Sequence, residues 1–274
     1  MSLMLWAIAV GAQAAPRAKS VTFTVVSANL SDNTTQAYEE PGIRILQALQ
    51  PDVVGIQEFN YRWGNTDDLV RRLFGPGYYF CRETGGVRLP NGVISRFPIL
   101  AHGQWEDPYV ANRRLFWATV DLPGPKDLHV VSVHLVQNRA NRRLAETDFL
   151  VEKIRKQFPA KDYVVLCGDL NITSRGAGVM AVLERIFVDD RHPVDQLDNP
   201  NTNAKRSHPY DVVLPNRALA PFQVPTVVAG KRFANGLVFD TRLWDYPPPP
   251  ADWEDSANNM QHMPVMKTFR VPLE

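Results

Sequence analysis

The most informative part of the sequence is Tyr163-Val164-Val165-Leu166-Cys167-Gly168-Asp169-Leu170-Asn171. Apolar residues run without alternation up to the glycine, which is typical of a short strand buried on both faces. A carboxylate at the end of a buried strand is costly unless it is paired or binds something. We therefore predict a buried strand over 163–169 with functional groups at Asp169 and Asn171, while a turn held by Asx hydrogen bonds remains the alternative.

The same construction, an apolar strand followed by a polar side chain, recurs on the N-terminal side of this stretch. Val21 to Asn29 and Val53 to Glu58 both follow it, and Leu128 to Leu135 carries His134 near its end. Several such ends in one chain predict that the strand ends converge on one rim. Taken singly, Glu58 is also consistent with a solvent-exposed side chain and His134 with a hydrogen-bonded core histidine.

Strand and helix patterns alternate along the rest of the chain. Apolar residues at helical spacing predict helices over 43–49, 69–74, 142–158 and 179–186. Further strands are predicted over 78–82, 91–95, 114–122, 210–214 and 264–271. Short buried strands interspersed with helices predict an α+β fold. Its expected form is a four-layered α/β/β/α sandwich of two mainly antiparallel mixed sheets with outer helices.

Composition sets limits on size, charge and redox chemistry. A chain of 274 residues with 45% hydrophobic side chains can bury one sizeable core, so we predict a single domain over 19–274. The 30 basic and 29 acidic residues nearly cancel, so a polyanion would need a local site. Cys81 and Cys167 lie in apolar runs without a CxxC pair, which favours buried thiols over structural zinc and leaves a disulfide as the alternative.

The first 18 residues carry a different pattern. An apolar stretch from Met4 to Val10 precedes Ala12-Gln13-Ala14, which is typical of the end of a secretory signal, although the basic start is missing. We interpret residues 1–18 as a truncated signal segment of a secreted or periplasmic protein. The alternative is an N-terminal arm of a cytoplasmic one. No apolar run reaches the roughly 18 residues of a membrane span.

Residues 215–260 are rich in prolines and aromatic side chains. One interpretation is a long surface loop with polyproline II character. The other is a wall of a substrate cleft, because long loops in compact domains often serve function.

The polar residues occur in an order that resembles the endonuclease/exonuclease/phosphatase superfamily over nearly the whole chain. The order is Ser27-Ala28-Asn29, Gln57-Glu58, Ser95-Arg96-Phe97-Pro98-Ile99, Val133-His134-Leu135, Gly168-Asp169-Leu170-Asn171, Tyr210-Asp211 and His262-Met263-Pro264-Val265. The segment 168–171 is the most specific part, and Gln57-Glu58 with the preceding Pro51 to Ile56 is nearly as specific. The resemblance implies the four-layered fold and hydrolysis of phosphoester bonds.

The resemblance also implies a metal site. It assigns Glu58 as the metal ligand, with Asn29 beside it. One carboxylate next to an amide suits Mg²⁺, which prefers oxygen ligands and keeps several waters, and Mn²⁺ is the substitute. The family usually has Ser-Asp-His near its C-terminal end, whereas this chain has Met260-Gln261-His262. Gln261 offers a neutral amide in place of a carboxylate, which weakens a second metal position.

The catalytic roles that the resemblance implies fall on five residues. Asp169 would orient the attacking water, and Asn171 would contact the phosphate. His262 would be oriented by Asp211, a pairing that fixes the tautomer of an imidazole and raises its basicity. His134 would hydrogen-bond the phosphate or protonate the leaving oxygen.

Three further residues are candidates for binding the substrate. Arg96 and Arg113 match a phosphate because a guanidinium binds it in a bidentate manner, although ordinary surface solvation is the alternative for each. His208 precedes Asp211 closely and is expected to line the site.

The leading hypothesis is an Mg²⁺-dependent, nuclease-like phosphodiesterase that acts as a monomer on a phosphoester substrate, with nucleic acid among the candidates. One alternative is a phosphomonoesterase or a lipid or inositol phosphate hydrolase of the same superfamily. Val212 stands where the inositol branch and many nucleases have Arg, which argues mildly against that branch. The other alternative is an inactive binding module, and the only feature that favours it is Gln261 in place of the family's usual carboxylate.

Overall fold

The computed structural model describes residues 19–257 and 259–274, so the predicted signal segment lies outside the described residues. The α-helices are α1 (Glu40–Leu49), α2 (Thr66–Phe74), α3 (Ala140–Gln157) and α4 (Gly178–Leu183). The strands are β1 (Ser20–Ala28), β2 (Val53–Ile56), β3 (Tyr79–Arg82), β4 (Gly92–Ser95), β5 (Ile99–Trp105), β6 (Leu115–Val120), β7 (Leu128–His134), β8 (Tyr163–Asp169), β9 (Asp211–Pro215), β10 (Gln223–Val224), β11 (Thr226–Val228), β12 (Lys231–Phe233), β13 (Leu237–Val238) and β14 (Val265–Pro272).

Two mixed sheets form the centre of the sandwich. The first has the order β10-β14-β1-β2-β4-β3, with β13 also paired to β14, and the second has the order β5-β6-β7-β8-β9. Most neighbours are antiparallel, but β1 with β2 and β7 with β8 are parallel. The predicted α+β sandwich of two mainly antiparallel mixed sheets with outer helices is confirmed.

Alternate residues of β8 point to opposite sides of the second sheet. Val165 and Cys167 join the apolar cluster that the two sheets share, whereas Val164 and Leu166 join the cluster beneath α3 and α4. Because both faces of the strand are covered, every position is apolar and the usual alternation is absent. This arrangement explains why residues 163–167 form a continuous apolar run.

The two sheets approach each other closely where Gly55 of β2 faces Cys167 of β8. A Cβ atom built on Gly55 would lie only 2.3 Å from the Cβ atom of Cys167. That neighbouring Cβ is fixed to the backbone and cannot rotate away. Glycine at this position therefore permits the spacing of the sheets directly below the strand ends.

We expect Gly55→Ala to lower the free energy of unfolding by about 1–3 kcal/mol, the usual cost of overpacking a dense core. Urea unfolding followed by circular dichroism measures the change. The double variant with Cys167→Gly removes the opposing Cβ atom and should recover part of the loss. A single variant as stable as the wild type would contradict the argument.

Both cysteines are free thiols with buried side chains. Burial raises the pKa of Cys81 and of Cys167 to about 12. We expect neither to react with a thiol reagent at about pH 8 in the native protein, because the reactive thiolate is scarce and inaccessible. Both should react once urea unfolds the chain. Rapid labelling of the native protein would contradict this expectation.

The structure corrects two interpretations of the sequence. Strand β5 was not predicted, because its residues are largely exposed on an edge and carry no clear alternation. The segment 215–260 is not simply a long surface loop, since β13 pairs with β14 and Phe239 and Trp244 are buried. Within residues 19–257 and 259–274, no helix combines the length and apolar character needed to cross a membrane.

Candidate active site

The ends of three adjacent strands in the second sheet meet at one rim. His134 at the end of β7 is the register partner of Asp169 at the end of the parallel strand β8. Asp169 in turn is the register partner of Asp211, which begins the antiparallel strand β9. Parallel strands share their carboxyl ends, whereas an antiparallel neighbour contributes its amino end to the same edge.

The first sheet brings three more polar side chains to this rim. Asn29 and Glu58 follow the parallel strands β1 and β2. His262 lies just before β14, which runs antiparallel to β1 and pairs Val265 with Ser27 near the end of that strand. The convergence therefore involves both carboxyl and amino ends of strands, rather than carboxyl ends alone.

The six buried side chains form one polar group around Asp169, called the central group below. Its Oδ2 atom lies 3.3 Å from His134 Nε2 and 3.7 Å from His262 Nε2. Asn29 Nδ2 donates to the same oxygen over 3.3 Å. On the far side of the ring, His262 Nδ1 lies 2.9 Å from Asp211 Oδ2. A single carboxylate is thus held between two imidazoles and an amide.

The pairing of His262 with Asp211 is supported by Thr202. The Thr202 hydroxyl donates to Asp211 Oδ2 over 2.7 Å and accepts from the Asp211 N–H over 2.8 Å. Burial lowers the pKa of His262, but the carboxylates of Asp211 and Asp169 outweigh it and raise that pKa to about 9. The ring is therefore an imidazolium at neutral pH. Sequence reasoning missed Thr202, which belongs to no recognisable motif.

Asp169 and Asn171 are joined by the turn that the sequence allowed as an alternative. The Asn171 N–H donates to Asp169 Oδ1 over 2.8 Å, and Asn171 Nδ2 donates to Leu135 O over 2.9 Å. Asn171 has φ of 50°, a left-handed conformation that Asn tolerates better than most residues. Burial raises the pKa of Asp169 to about 7, against the charge of His262. The turn and a chemical role for Asp169 are thus compatible.

Glu58 and Asn29 supply oxygen atoms suited to a hard cation. Ser31 donates to Glu58 Oε2 over 2.5 Å, while Glu58 Oε1 lies 3.7 Å from His134 Nδ1. Asn29 Oδ1 is buried, and no donor within the described residues reaches it. An orphaned amide oxygen and a buried carboxylate that follow two adjacent parallel strands fit Mg²⁺, which takes oxygen ligands and retains waters. Ser31, like Thr202, had no signal in the sequence.

A second group of side chains in the site is also close enough to hold an ion. Atoms of Asp169, Asp211 and His262 all lie within 4.8 Å of one another, close enough to surround a metal. However, His262 Nδ1 is already engaged with Asp211 Oδ2 over 2.9 Å. Asp211 Oδ2 also already accepts hydrogen bonds from Thr202 and His262. We therefore interpret these three residues as a proton-holding group and Glu58 with Asn29 as the metal position.

His134 has a neutral imidazole, and Arg113 hydrogen-bonds the backbone at this position. Burial lowers its pKa well below the ordinary value, and the charges of Arg113 and His262 act in the same direction. Arg113 Nε donates to the His134 carbonyl, and Nη2 donates to Leu135 O over 2.9 Å. Nη1 donates to Asn112 Oδ1 over 3.1 Å. Arg113 therefore orients the end of β7 while it lines the cavity above the site.

Arg96 and His208, two of the predicted substrate-binding residues, do not belong to the central group. Arg96 is half-exposed and pairs with Asp52 at 2.7 Å. It follows β4, which runs antiparallel to β2, so it lies at the end of the sheet opposite Glu58. His208 lines a neighbouring groove, where its ring stacks on Tyr210 with centroids 5.7 Å apart. Arg96 is thus separated from the site and His208 borders it.

Four members of the central group, Glu58, His134, Asp169 and His262, line an open cavity of about 310 Å³. Its walls carry the guanidinium groups of Arg88 and Arg139 and the amide of Gln261. Residues 215–257 and 259–260 contribute nothing to the lining of this cavity, and the interpretation of that segment as a cleft wall stays a prediction. Phe222, Phe233, Phe239 and Trp244 pack in or against the larger apolar cluster, whereas Tyr246 and Trp253 are exposed.

Comparison with known proteins gives a consistent result. The family model for the Endonuclease/Exonuclease/phosphatase family matches residues 43–255. An endonuclease/exonuclease/phosphatase from Beutenbergia cavernae is similar with TM-score 0.63 and 18% identity, over 92% of this chain and 72% of the other. A truncated TDP2 from Caenorhabditis elegans has TM-score 0.58 and 18% identity, over 90% and 97%. An AP endonuclease from Archaeoglobus fulgidus has TM-score 0.59 and 15% identity, over 90% and 99%.

No curated protein matches the chain by sequence. At these identities the structural likeness shows a shared fold, and the reaction must be argued from the side chains.

Proposed function

The chain belongs to the endonuclease/exonuclease/phosphatase family, and from that premise we propose that it is an Mg²⁺-dependent phosphodiesterase. Members of this family are hydrolases of phosphoester bonds. The observation that carries the proposal is the position of Asp169 between two imidazoles, 3.3 Å and 3.7 Å away, with the orphaned oxygen of Asn29 beside it. Hydrolysis needs a base, a cationic environment for the phosphoryl group and a metal position, and this group offers all three.

Attack by water on phosphorus requires that a proton leave the water as the bond forms. Asp169 is the acceptor in our proposal, because its carboxylate lines the cavity and burial raises its pKa, which makes it a stronger base than an exposed carboxylate. The imidazolium of His262 faces the same carboxylate and stabilises negative charge that develops on the phosphoryl oxygens. Asp211 keeps that charge on His262 by accepting the Nδ1 proton in a hydrogen bond.

Two more side chains act on the phosphate. The neutral His134 presents Nε2 to the same carboxylate oxygen and is placed to hydrogen-bond a phosphoryl oxygen. Asn171 lies at the cavity floor and contacts the phosphate in the same proposal. Glu58 and Asn29 would hold Mg²⁺, which when bound supplies charge neutralisation at the phosphoryl and leaving oxygens. The P–O bond to the leaving group then breaks, that oxygen takes up a proton from solvent in the open cavity, and Asp169 releases to solvent the proton that it accepted.

The cavity favours a diester within a polyanionic chain over an isolated monoester. It is open, and Arg88 and Arg139 place positive charge on its walls beyond the central group. Contacts to several phosphates are the main source of affinity for nucleic acids. Two of the similar structures are a TDP2 and an AP endonuclease. A phosphomonoesterase or an inositol or lipid phosphate hydrolase is the second candidate.

A substrate panel tests the proposal. Plasmid DNA, bis(p-nitrophenyl) phosphate, p-nitrophenyl phosphate and inositol phosphates are each incubated with Mg²⁺, with Mn²⁺ and with EDTA, and Asp169→Asn serves as the inactive reference. We expect turnover of the diesters, slower turnover of the monoesters and no turnover in EDTA. Preference for a monoester would establish the second candidate. Equal inactivity of the wild type and Asp169→Asn on every substrate would leave a binding module.

A further inference from the structure

A buried polar layer lies between the two sheets, one level beneath the candidate active site. It contains Gln57, which follows β2 in the first sheet, and Ser132 of β7 in the second. Both side chains are inaccessible to solvent, and neither lines the cavity. They take no part in the proposed chemistry. Buried polar groups of this kind need another reason to be present, because an apolar pair would pack there at less cost.

The contacts of these two residues connect the sheets in both directions. Gln57 Nε2 donates to Ser132 Oγ over 3.0 Å. The Ser132 hydroxyl in turn donates to the carbonyl of Ile56, the last residue of β2, over 3.0 Å. Gln57 is also held to β1, since its backbone N–H donates to Ala28 O over 2.9 Å. The result is a closed bridge between the end of β2 and the middle of β7.

The bridge lies next to the residues of the proposed metal site. Gln57 immediately precedes Glu58, and Ser132 lies two positions before His134 on the same face of β7. Glu58 and His134 approach each other across the gap between the sheets at 3.7 Å. Apolar packing between sheets is non-directional, whereas a hydrogen bond fixes both distance and angle. A directional link in this layer therefore limits how far the end of β2, which carries Glu58, can shift relative to β7, which carries His134.

We infer that Gln57 and Ser132 are positioning residues, whose inter-sheet hydrogen bonds place Glu58 for metal binding opposite the catalytic groups of the second sheet. This inference rests on the proposed function, because it concerns the same metal position. It assigns the two residues a role in Mg²⁺ affinity, although neither contacts the metal or the substrate.

Ser27 provides a matched control in the same layer. It is the register partner of Gly55, is fully buried and lies two positions before Asn29, as Ser132 lies two positions before His134. Its Oγ atom, however, has no hydrogen-bond partner within the described part of the chain. Removing the Ser27 hydroxyl therefore deletes the same atom at the same depth without breaking a link between the sheets.

The experiment compares Ser132→Ala, Gln57→Met, their double variant and Ser27→Ala. Calorimetry without substrate gives the dissociation constant for Mg²⁺, and the hydrolysis of bis(p-nitrophenyl) phosphate gives kcat. We expect Ser132→Ala and Gln57→Met each to weaken Mg²⁺ binding by about 3–10-fold. This is less than the usual effect of removing a residue that hydrogen-bonds a metal-ligating side chain directly. The double variant should lose no more than the larger single effect. Ser132→Thr, which retains the hydroxyl, should restore most of the affinity.

Four outcomes decide the inference. Mg²⁺ affinity within about twofold of the wild type in both Ser132→Ala and Gln57→Met overturns it, since the structure links the two residues as one unit. An equal loss of Mg²⁺ affinity in Ser27→Ala also overturns it, because the loss would then follow from removing any buried hydroxyl in this layer. Additive losses in the double variant show separate roles and overturn the bridge. If the wild type neither binds Mg²⁺ nor hydrolyses the diester, the proposed function is wrong, and the inference that rests on it is wrong as well.

Discussion

Glu58→Gln is expected to weaken Mg²⁺ binding by at least about 100-fold and to remove most diester hydrolysis at moderate Mg²⁺ concentrations. The size follows from comparison with residues that only orient metal ligands, whose loss already costs about 10–100-fold. Glu58 is the carboxylate of the proposed metal position, where its partner Asn29 and the nearby Gln261 are neutral amides. The substitution keeps the shape and the hydrogen bond from Ser31 but removes the charge. Calorimetry with Mg²⁺ and initial rates against Mg²⁺ concentration measure the effect.

Glu83→Gln is the matched control for this prediction. Glu83 is as buried as Glu58, each with 3% exposure, but it accepts hydrogen bonds from Asn91 and from the Arg114 N–H away from the site. Its substitution removes an equally buried carboxylate and should leave Mg²⁺ affinity unchanged in protein that remains folded. Full activity of the wild type in EDTA, or equal effects of the two variants, would refute the assignment of Glu58.

His262→Ala is expected to lower kcat by about 10²–10⁴-fold, the range for a positioned acid, base or charge-stabilising group. Asp211→Asn should cost nearly as much, because the neutral amide no longer holds the imidazolium that faces Asp169. The double variant should lose little more than His262→Ala alone, since Asp211 acts only through the ring that it orients. Single-turnover rates on bis(p-nitrophenyl) phosphate at saturating Mg²⁺ isolate this step from metal binding.

Thr202→Val offers a graded test of the same pair. It removes the hydroxyl that donates to Asp211 Oδ2 and accepts from the Asp211 N–H. A smaller loss of kcat is expected, because the direct contact of 2.9 Å between Asp211 and His262 remains. For the double variant of His262→Ala and Asp211→Asn, a loss of kcat equal to the product of the two single losses would show that the residues act independently. That result would contradict the hydrogen-bonded pair.

Several features of this protein could be read from the sequence because they depend on local pattern. The uninterrupted apolar run before Asp169 indicated a strand covered on both faces, and β8 packs against both apolar clusters. The left-handed turn at Asn171 suited a residue that adopts this conformation readily. The order of polar residues at strand ends indicated the family, whose model matches residues 43–255.

Other features were decided by the direction and packing of the strands. Arg96 follows an apolar strand just as Glu58 does, yet β4 runs antiparallel to β2 and carries Arg96 to the opposite end of the sheet. Prolines and aromatic residues in the segment 215–260 gave no sign that β13 would pair with β14. Strand direction depends on partners far along the chain, so residue type alone could not place these side chains.

The core strands, the family and the polar residues available for chemistry thus follow from the amino-acid sequence, because period and motif are properties of neighbouring residues. Which of those residues touch depends on how the chain packs. The tertiary structure joined His262 to Asp211 across 51 positions, added Thr202 and Ser31 to the group, and linked Gln57 to Ser132 between the sheets. Each contact depends on the relative placement of two sheets, which is set by the packing of the whole core and is encoded in no local stretch of the chain.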